Sequence, residues 1–189
     1  DSTGTLTVNF DQDGDTTDAQ LTATQLDAGT IAIDGGDDDN DDATLNGTVT
    51  SDLASISIND VDVLDLNGDV TAATSLTVTD INTRVDLADG TDLRSTGNLD
   101  VSTDVTSVLL SGAAAPTNVI EASGDASTAS VGPVTATATD ATLTVGSEFS
   151  VTLSTVDLNN SGVLNVNVDS DNDTASAALN ACLLYTSDA

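Results

Sequence analysis

The chain has 189 residues with 32 acids against two Arg, no Lys and no His, and its net charge of −30 sets aside nucleic-acid phosphates and anionic bilayers as partners. Thirty of the acids are Asp and 56 residues are β-branched Thr, Val or Ile, while Glu, Lys, Gln, Met and Arg are nearly missing, which excludes helical bundles and predicts an all-β protein. No apolar run nears the roughly 18 residues of a membrane span, and Asp1 opens neither on Met nor on a signal peptide, so the chain reads as an internal piece of a longer protein.

Alternating apolar pairs begin at Leu6/Val8 and return as Ile31/Ile33, Ile56/Ile58, Leu76/Val78, Leu99/Val101, Ile120/Ala122, Leu143/Val145 and Leu164/Val166. Thr, Ser, Asp or Asn fills most of the intervening positions, the period-two pattern of a half-buried strand. Turn-forming glycines keep a matching beat at Gly47, Gly68, Gly90, Gly112 and Gly132, at intervals of 21, 22, 22 and 20. Weaker alternations at Val61/Val63, Val85/Leu87, Ala136/Ala138 and Val151/Leu153 add further strands to each interval.

Two or three short strands per repeat of about 22 residues, with Gly, Asn and Asp corners, predict a parallel β-solenoid of about eight coils. Leu6, Ile31, Ile56, Leu76, Leu99, Ile120, Leu143 and Leu164 should then stack in one inward column, and like residues should form ladders from coil to coil. Residues 34–42, Asp-Gly-Gly-Asp-Asp-Asp-Asn-Asp-Asp, read as a loop inserted into one coil. Antiparallel sandwich modules are the alternative, although their thick cores normally use aromatics and this chain offers only Phe10, Phe149 and Tyr185.

Two clusters have the chemistry of weak calcium sites, Asp11, Asp13 and Asp15 near the start and Asp169, Asp171 and Asp173 near the end. Alternating Asp in a turn offers several hard oxygens, and Ca²⁺ takes roughly 6–8 of them. Neither cluster continues as an EF-hand, since the twelfth positions are Thr22 and Asn180 instead of Glu, and solvated loops are the competing reading. No cofactor is required by the sequence, and calcium is the only one suggested. Catalysis is poorly supplied: His and Lys are absent, no aromatic platform for sugars exists, and Arg84 and Arg94 are expected to pair with nearby Asp.

The pieces Gly68-Asp-Val-Thr71, Ser75-Leu-Thr-Val-Thr79 and Ser95-Thr-Gly-Asn-Leu-Asp-Val-Ser102 resemble the repeats of filamentous haemagglutinins, autotransporter passengers and related bacterial surface adhesins. That resemblance implies a right-handed parallel β-helix that is secreted and attached to a cell. The last eight residues, Cys182-Leu-Leu-Tyr-Thr-Ser-Asp-Ala189, resemble a translated sequencing adapter of the kind found in metagenomic assemblies, which divides the chain into a solenoid over 1–181 and a non-native tail over 182–189.

The expected function is therefore non-enzymatic: a structural or adhesive segment of a large secreted or cell-surface repeat protein. It would have a glycan or protein as adhesion target, no membrane insertion, and end-to-end association of the isolated piece. A calcium-dependent surface-layer or matrix protein of sandwich modules is the alternative, and a β-helical carbohydrate-active enzyme a distant one.

Overall fold

A computed structural model describes residues 3–10, 18–36, 40–102, 107–112, 114–159, 161–169 and 177–185. Its strands wind into a parallel β-solenoid with three faces. The first face stacks β1 (Thr5–Asn9), β4 (Thr30–Asp34), β7 (Ser55–Asn59), β10 (Ser75–Val78), β13 (Asn98–Ser102), β16 (Thr128–Gly132) and the first half of β19 (Ser150–Asp157). The second stacks β2 (Gln20–Ala23), β5 (Asp42–Leu45), β8 (Val61–Leu66), β11 (Ile81–Ala88), β14 (Val108–Ser111), β17 (Val134–Ala136) and the second half of β19. The third stacks β3 (Leu26–Ala28), β6 (Val49–Ser51), β9 (Val70–Ala72), β12 (Asp92–Ser95), β15 (Thr117–Ala122), β18 (Thr142–Ser147) and β20 (Val163–Val168). A last strand, β21 (Ala178–Tyr185), lies on β19.

Every strand pairing among the described residues is parallel, so the sandwich alternative is excluded: its hairpins would require antiparallel neighbours. There are about six turns of roughly 23 residues, where the repeat length alone predicts about eight. On the first face six steps lead from Leu6 through Ile31, Ile56, Leu76, Leu99 and Ala129 to Val151.

That column corrects the expected one after Leu99. Ile120 pairs with Leu93, and Leu143 pairs with Leu164, all on the third face. The turn that starts at Leu99 is long, returning to the first face only at Ala129, thirty residues on, so the strong pair Ile120/Ala122 falls a face early at nearly the regular spacing. The fifth glycine, Gly132, likewise sits between the first and second faces, whereas Gly47, Gly68, Gly90 and Gly112 lie between the second and third.

Two of the weaker pairs also change. Val63 points outward, and Leu64 and Leu66 fill the lumen in its place, because the strand shifts phase at the buried pair Val61 and Asp62. Ala138 lies beyond the end of β17.

The lumen is a single apolar core, with Ile31, Ile56, Leu76, Leu45, Leu66, Leu87 and Leu93 at 0% exposure. Val, Leu, Ile and Ala suffice because the three faces close on one another without the span of a two-sheet sandwich.

Corners explain much of the remaining sequence. Asp60 and Asp80 turn the chain from the first to the second face in the left-handed region, at φ 52° and 53°, a conformation that Asp tolerates better than most residues with a Cβ. At the next corner a Cβ on Gly47 would lie 1.7 Å from the Thr24 carbonyl oxygen of the preceding turn, so only glycine allows the turns to stack there. Beside it Asn67 donates from Nδ2 to Asn46 Oδ1 at 3.0 Å, the expected coil-on-coil ladder. The acidic span 34–42 falls between the first and second faces, where eight residues lie between Ile33 and Asp42 but four between their partners Ile58 and Val63.

The expected division at residue 182 leaves no mark in the backbone pairing. Strand β21 runs through it, with Ala181 opposite Leu153 and Leu183 opposite Thr155.

Leu76 lies in the middle of the lumen, and Thr77 beside it faces out. Leu76→Asp should abolish the folded state or lower the urea midpoint steeply, since an unpartnered carboxylate in an apolar interior costs several kcal/mol, about a protein's whole stability. Thr77→Asp should shift the same midpoint only slightly. Equal shifts would contradict the inward and outward assignment.

Candidate interaction faces and acidic clusters

Of the six candidate calcium ligands, Asp11, Asp13, Asp15, Asp171 and Asp173 lie outside the described residues. Asp169 follows β20 in the left-handed region, at φ 59°, and its N–H donates to the Ser147 carbonyl at 3.1 Å. That is the geometry of another corner. Among the described residues no group of three or more His, Cys, Asp or Glu is arranged to hold a metal ion.

Many of the aspartates instead have a structural use. The Asp41 carboxylate accepts the Ala19 N–H at 3.1 Å, Asp69 that of Asp92 at 3.0 Å, Asp89 that of Thr117 at 3.0 Å, and Asp92 that of Val119 at 3.1 Å. Each bond joins one turn to the next. Where the backbone leaves the ladder to round a corner, an N–H loses its carbonyl partner, and a carboxylate on a one-carbon stem reaches it. Asn118 does related work from inside the core, donating to the carbonyls of Ala88 at 2.8 Å and Thr91 at 2.9 Å.

Both arginines pair as expected, each across turns as well as along its own strand. Arg84 lies between Asp65 at 3.6 Å and Asp86 at 3.9 Å on the second face. Arg94 on the third face binds Asp92 at 2.9 Å and also Glu121, a partner that expectations built on Asp alone did not include. Burial works against the Arg94 charge, but Asp92 and then Glu121 more than offset it and hold the guanidinium above its ordinary value.

On the second face Asp42 lies within electrostatic reach of Asp62, Asp65 and Arg84. Asp42 is pushed above its ordinary value, first by burial and then by the charges of Asp62 and Asp65, with Arg84 pulling the other way.

The first face is different in kind. Two of its outward columns are Thr5, Thr30, Ser55, Ser75, Asn98, Thr128 and Ser150, and Thr7, Ala32, Ser57, Thr77, Asp100, Ser130 and Thr152, with Asn9, Asp34, Asn59 and Ser102 outward beside the second. Eleven of the fourteen in the two columns are Ser or Thr and one is charged. On β21 the columns end in Ala178 and Asn180. The other faces mix charge, hydroxyl and apolar groups, as in Asp42, Val63, Arg84 and Leu109 on the second and Thr71, Arg94 and Glu121 on the third.

This surface was readable in the sequence as the residues flanking and separating the apolar pairs. No single Thr or Ser among them differs from ordinary exterior filling, so periodicity alone does not single the surface out.

Compared with models of protein families, with curated proteins and with solved structures, the chain matches none. No helix of the described residues is long and apolar enough to cross a membrane.

The Asp42 shift has a definite consequence for pH. The folded state holds the Asp42 proton more tightly than the unfolded state, so stability falls as pH rises from about 3.9 through the raised folded value. Asp42→Asn should therefore stabilise the protein at neutral pH. The gain should be small, within about 0.5 kcal/mol after solvent screening, and should vanish below about pH 3.9, where both proteins are uncharged at this position. Paired urea melts at pH 7 and pH 3 measure it, and a gain that persists at pH 3 would assign the effect to packing.

Proposed function

We propose that the chain is a non-enzymatic mechanical segment, a stiff spacer or adhesive rod within a large secreted or cell-surface repeat protein. The observation that carries this reading is the parallel inter-turn pairing that continues along all three faces, with one register shift between Ile81 and Arg84 on the second. Inter-turn hydrogen bonds lie roughly along the solenoid axis, so an axial pull loads the bonds of three strands at every turn together. Six turns at about 4.8 Å give a rod near 29 Å, and added turns lengthen it without altering its cross-section.

The use of carboxylates at corners and between turns supports a structural reading of the Asp content over a catalytic one. A high negative charge also keeps such a rod soluble outside the cell.

The ends of the stack support association with further turns. Among the described residues strands β1, β2 and β3 each pair on one side only, and Leu6, Val8, Phe10, Leu21 and Leu26 are only partly buried there. At the other end Leu164, Val166 and Val168 are also partly buried. In a longer protein the neighbouring turns would cover these edges, and in the 189-residue chain a second copy takes their place.

Charge opposes that approach, but the Debye length is only about 8 Å at physiological salt, so association should increase with salt. Sedimentation with reducing agent present, to keep exposed Cys182 out of disulfides, should show longer species at high salt than at low. A monomer at both would mean that the ends are protected and would remove the support they lend to a continuous rod.

A further inference from the structure

The hydroxyl columns of the first face form a two-dimensional lattice, and we propose that this face binds ice. The inference rests on the fold and its register and does not depend on the adhesive reading. Strand stacking sets one repeat at about 4.8 Å, and alternate residues along a strand set the other at roughly 6.6 Å. A surface that repeats in both directions is matched fully only by a partner that repeats in both, which is a crystalline solid and not a soluble ligand. The shorter spacing lies close to one oxygen repeat on a prism plane of hexagonal ice, and the longer falls about a tenth short of the other.

Three observations favour water as the lattice partner. Of the eleven hydroxyls only Ser57 and Thr128 donate to protein groups, to Asn59 and Asn98, so the others are available to solvent. Each free hydroxyl offers one donor and two acceptor sites and rotates to suit, as tetrahedral water does. The two columns hold one charge, Asp100, in a chain of net charge −30, and Asp34 stands beside them at the end of β4, so few carboxylates orient water radially around themselves on this face. A crystalline polysaccharide would share the periodicity, but its sugar rings bind by stacking on aromatic side chains, and this face has none.

The backbone ladder fixes the lattice before ice is met, so little ordering remains to oppose binding. Parallel strands keep Ser55, Ser75 and Ser57, Thr77 in register, and the core residues between them, Ile56 and Leu76, are fully buried.

The test is incorporation of the labelled 189-residue protein into a slowly growing ice front, with a thermal melt as the check on folding. The protein should enter the ice, and Thr77→Tyr, which places a large ring in the centre of the lattice, should lose that incorporation. Thr71→Tyr on the third face should retain it, and Asp100→Thr should increase it. Thr152→Tyr, at a more exposed lattice position, replaces Thr77→Tyr if the latter lowers the melting temperature. Rejection of the wild-type protein by the ice front would overturn the proposal, as would equal behaviour of the Thr77 and Thr71 variants. Exclusion from ice with retention on crystalline cellulose would overturn it too, and would assign the face to a polysaccharide.

Discussion

Register between successive turns is the constraint on which the rest of the structure depends. Side chains alternate along a strand, so a slip of one residue would move a whole inward row into water and bring its polar neighbours into the lumen. The chain keeps register while its turns change length. Ile56 meets Leu76 after 20 residues and Leu99 meets Ala129 after 30, yet both pairs face inward and stack in parallel. Much of the variation is absorbed at corners, where the chain is outside the ladder, and one residue of it in the register shift between Ile81 and Arg84 of β11. An acidic insertion such as the one following Ile33 can therefore enter one corner without disturbing the turns above and below it.

The preference for Asp over Glu follows from the same corners. A residue that rounds a corner must enter unusual φ/ψ space or leave a backbone N–H without its ladder partner. Asp answers both needs, turning the chain at Asp60 and Asp80 and accepting N–H groups of the next turn at Asp69 and Asp89. Glu has an extra methylene and a weaker preference for the left-handed region. The resulting charge is tolerable because most of these carboxylates keep contact with water and ions. Where they crowd the partly buried Asp42, the charged form is disfavoured.

The apolar pairs made the fold class legible, together with the corner glycines and the first five members of the inward column. What failed was the assumption that the next strong pair after Leu99 must lie on the same face. Periodicity measures distance along the chain, and the long turn after Leu99 places Ile120 at nearly the ordinary interval but on another face. Ala129 and Val131, the first-face partners of Leu99 and Val101, are too small and too ordinary in their surroundings to compete as signals. The phase change at Val61 was hidden for another reason, since Asp62 is buried where alternation predicts an outward residue. Of the two acidic clusters only Asp169 lies among the described residues, and it turns a corner after β20.

The hydroxyl face was less legible than the core although the same register orders both. Burial selects large apolar residues strongly, so the inward column announces itself residue by residue. An outward Ser or Thr is unremarkable alone, and its meaning arises only when turns of unequal length are stacked. Thr7 and Thr77 are seventy residues apart in the chain but lie in one column because Leu6 and Leu76 do. Order on the surface is thus inherited from packing in the lumen. It follows that the outer lattice cannot drift independently of the core, and that a solenoid with an apolar interior can present a regular polar surface with few direct contacts between the polar groups, such as that of Thr128 with Asn98.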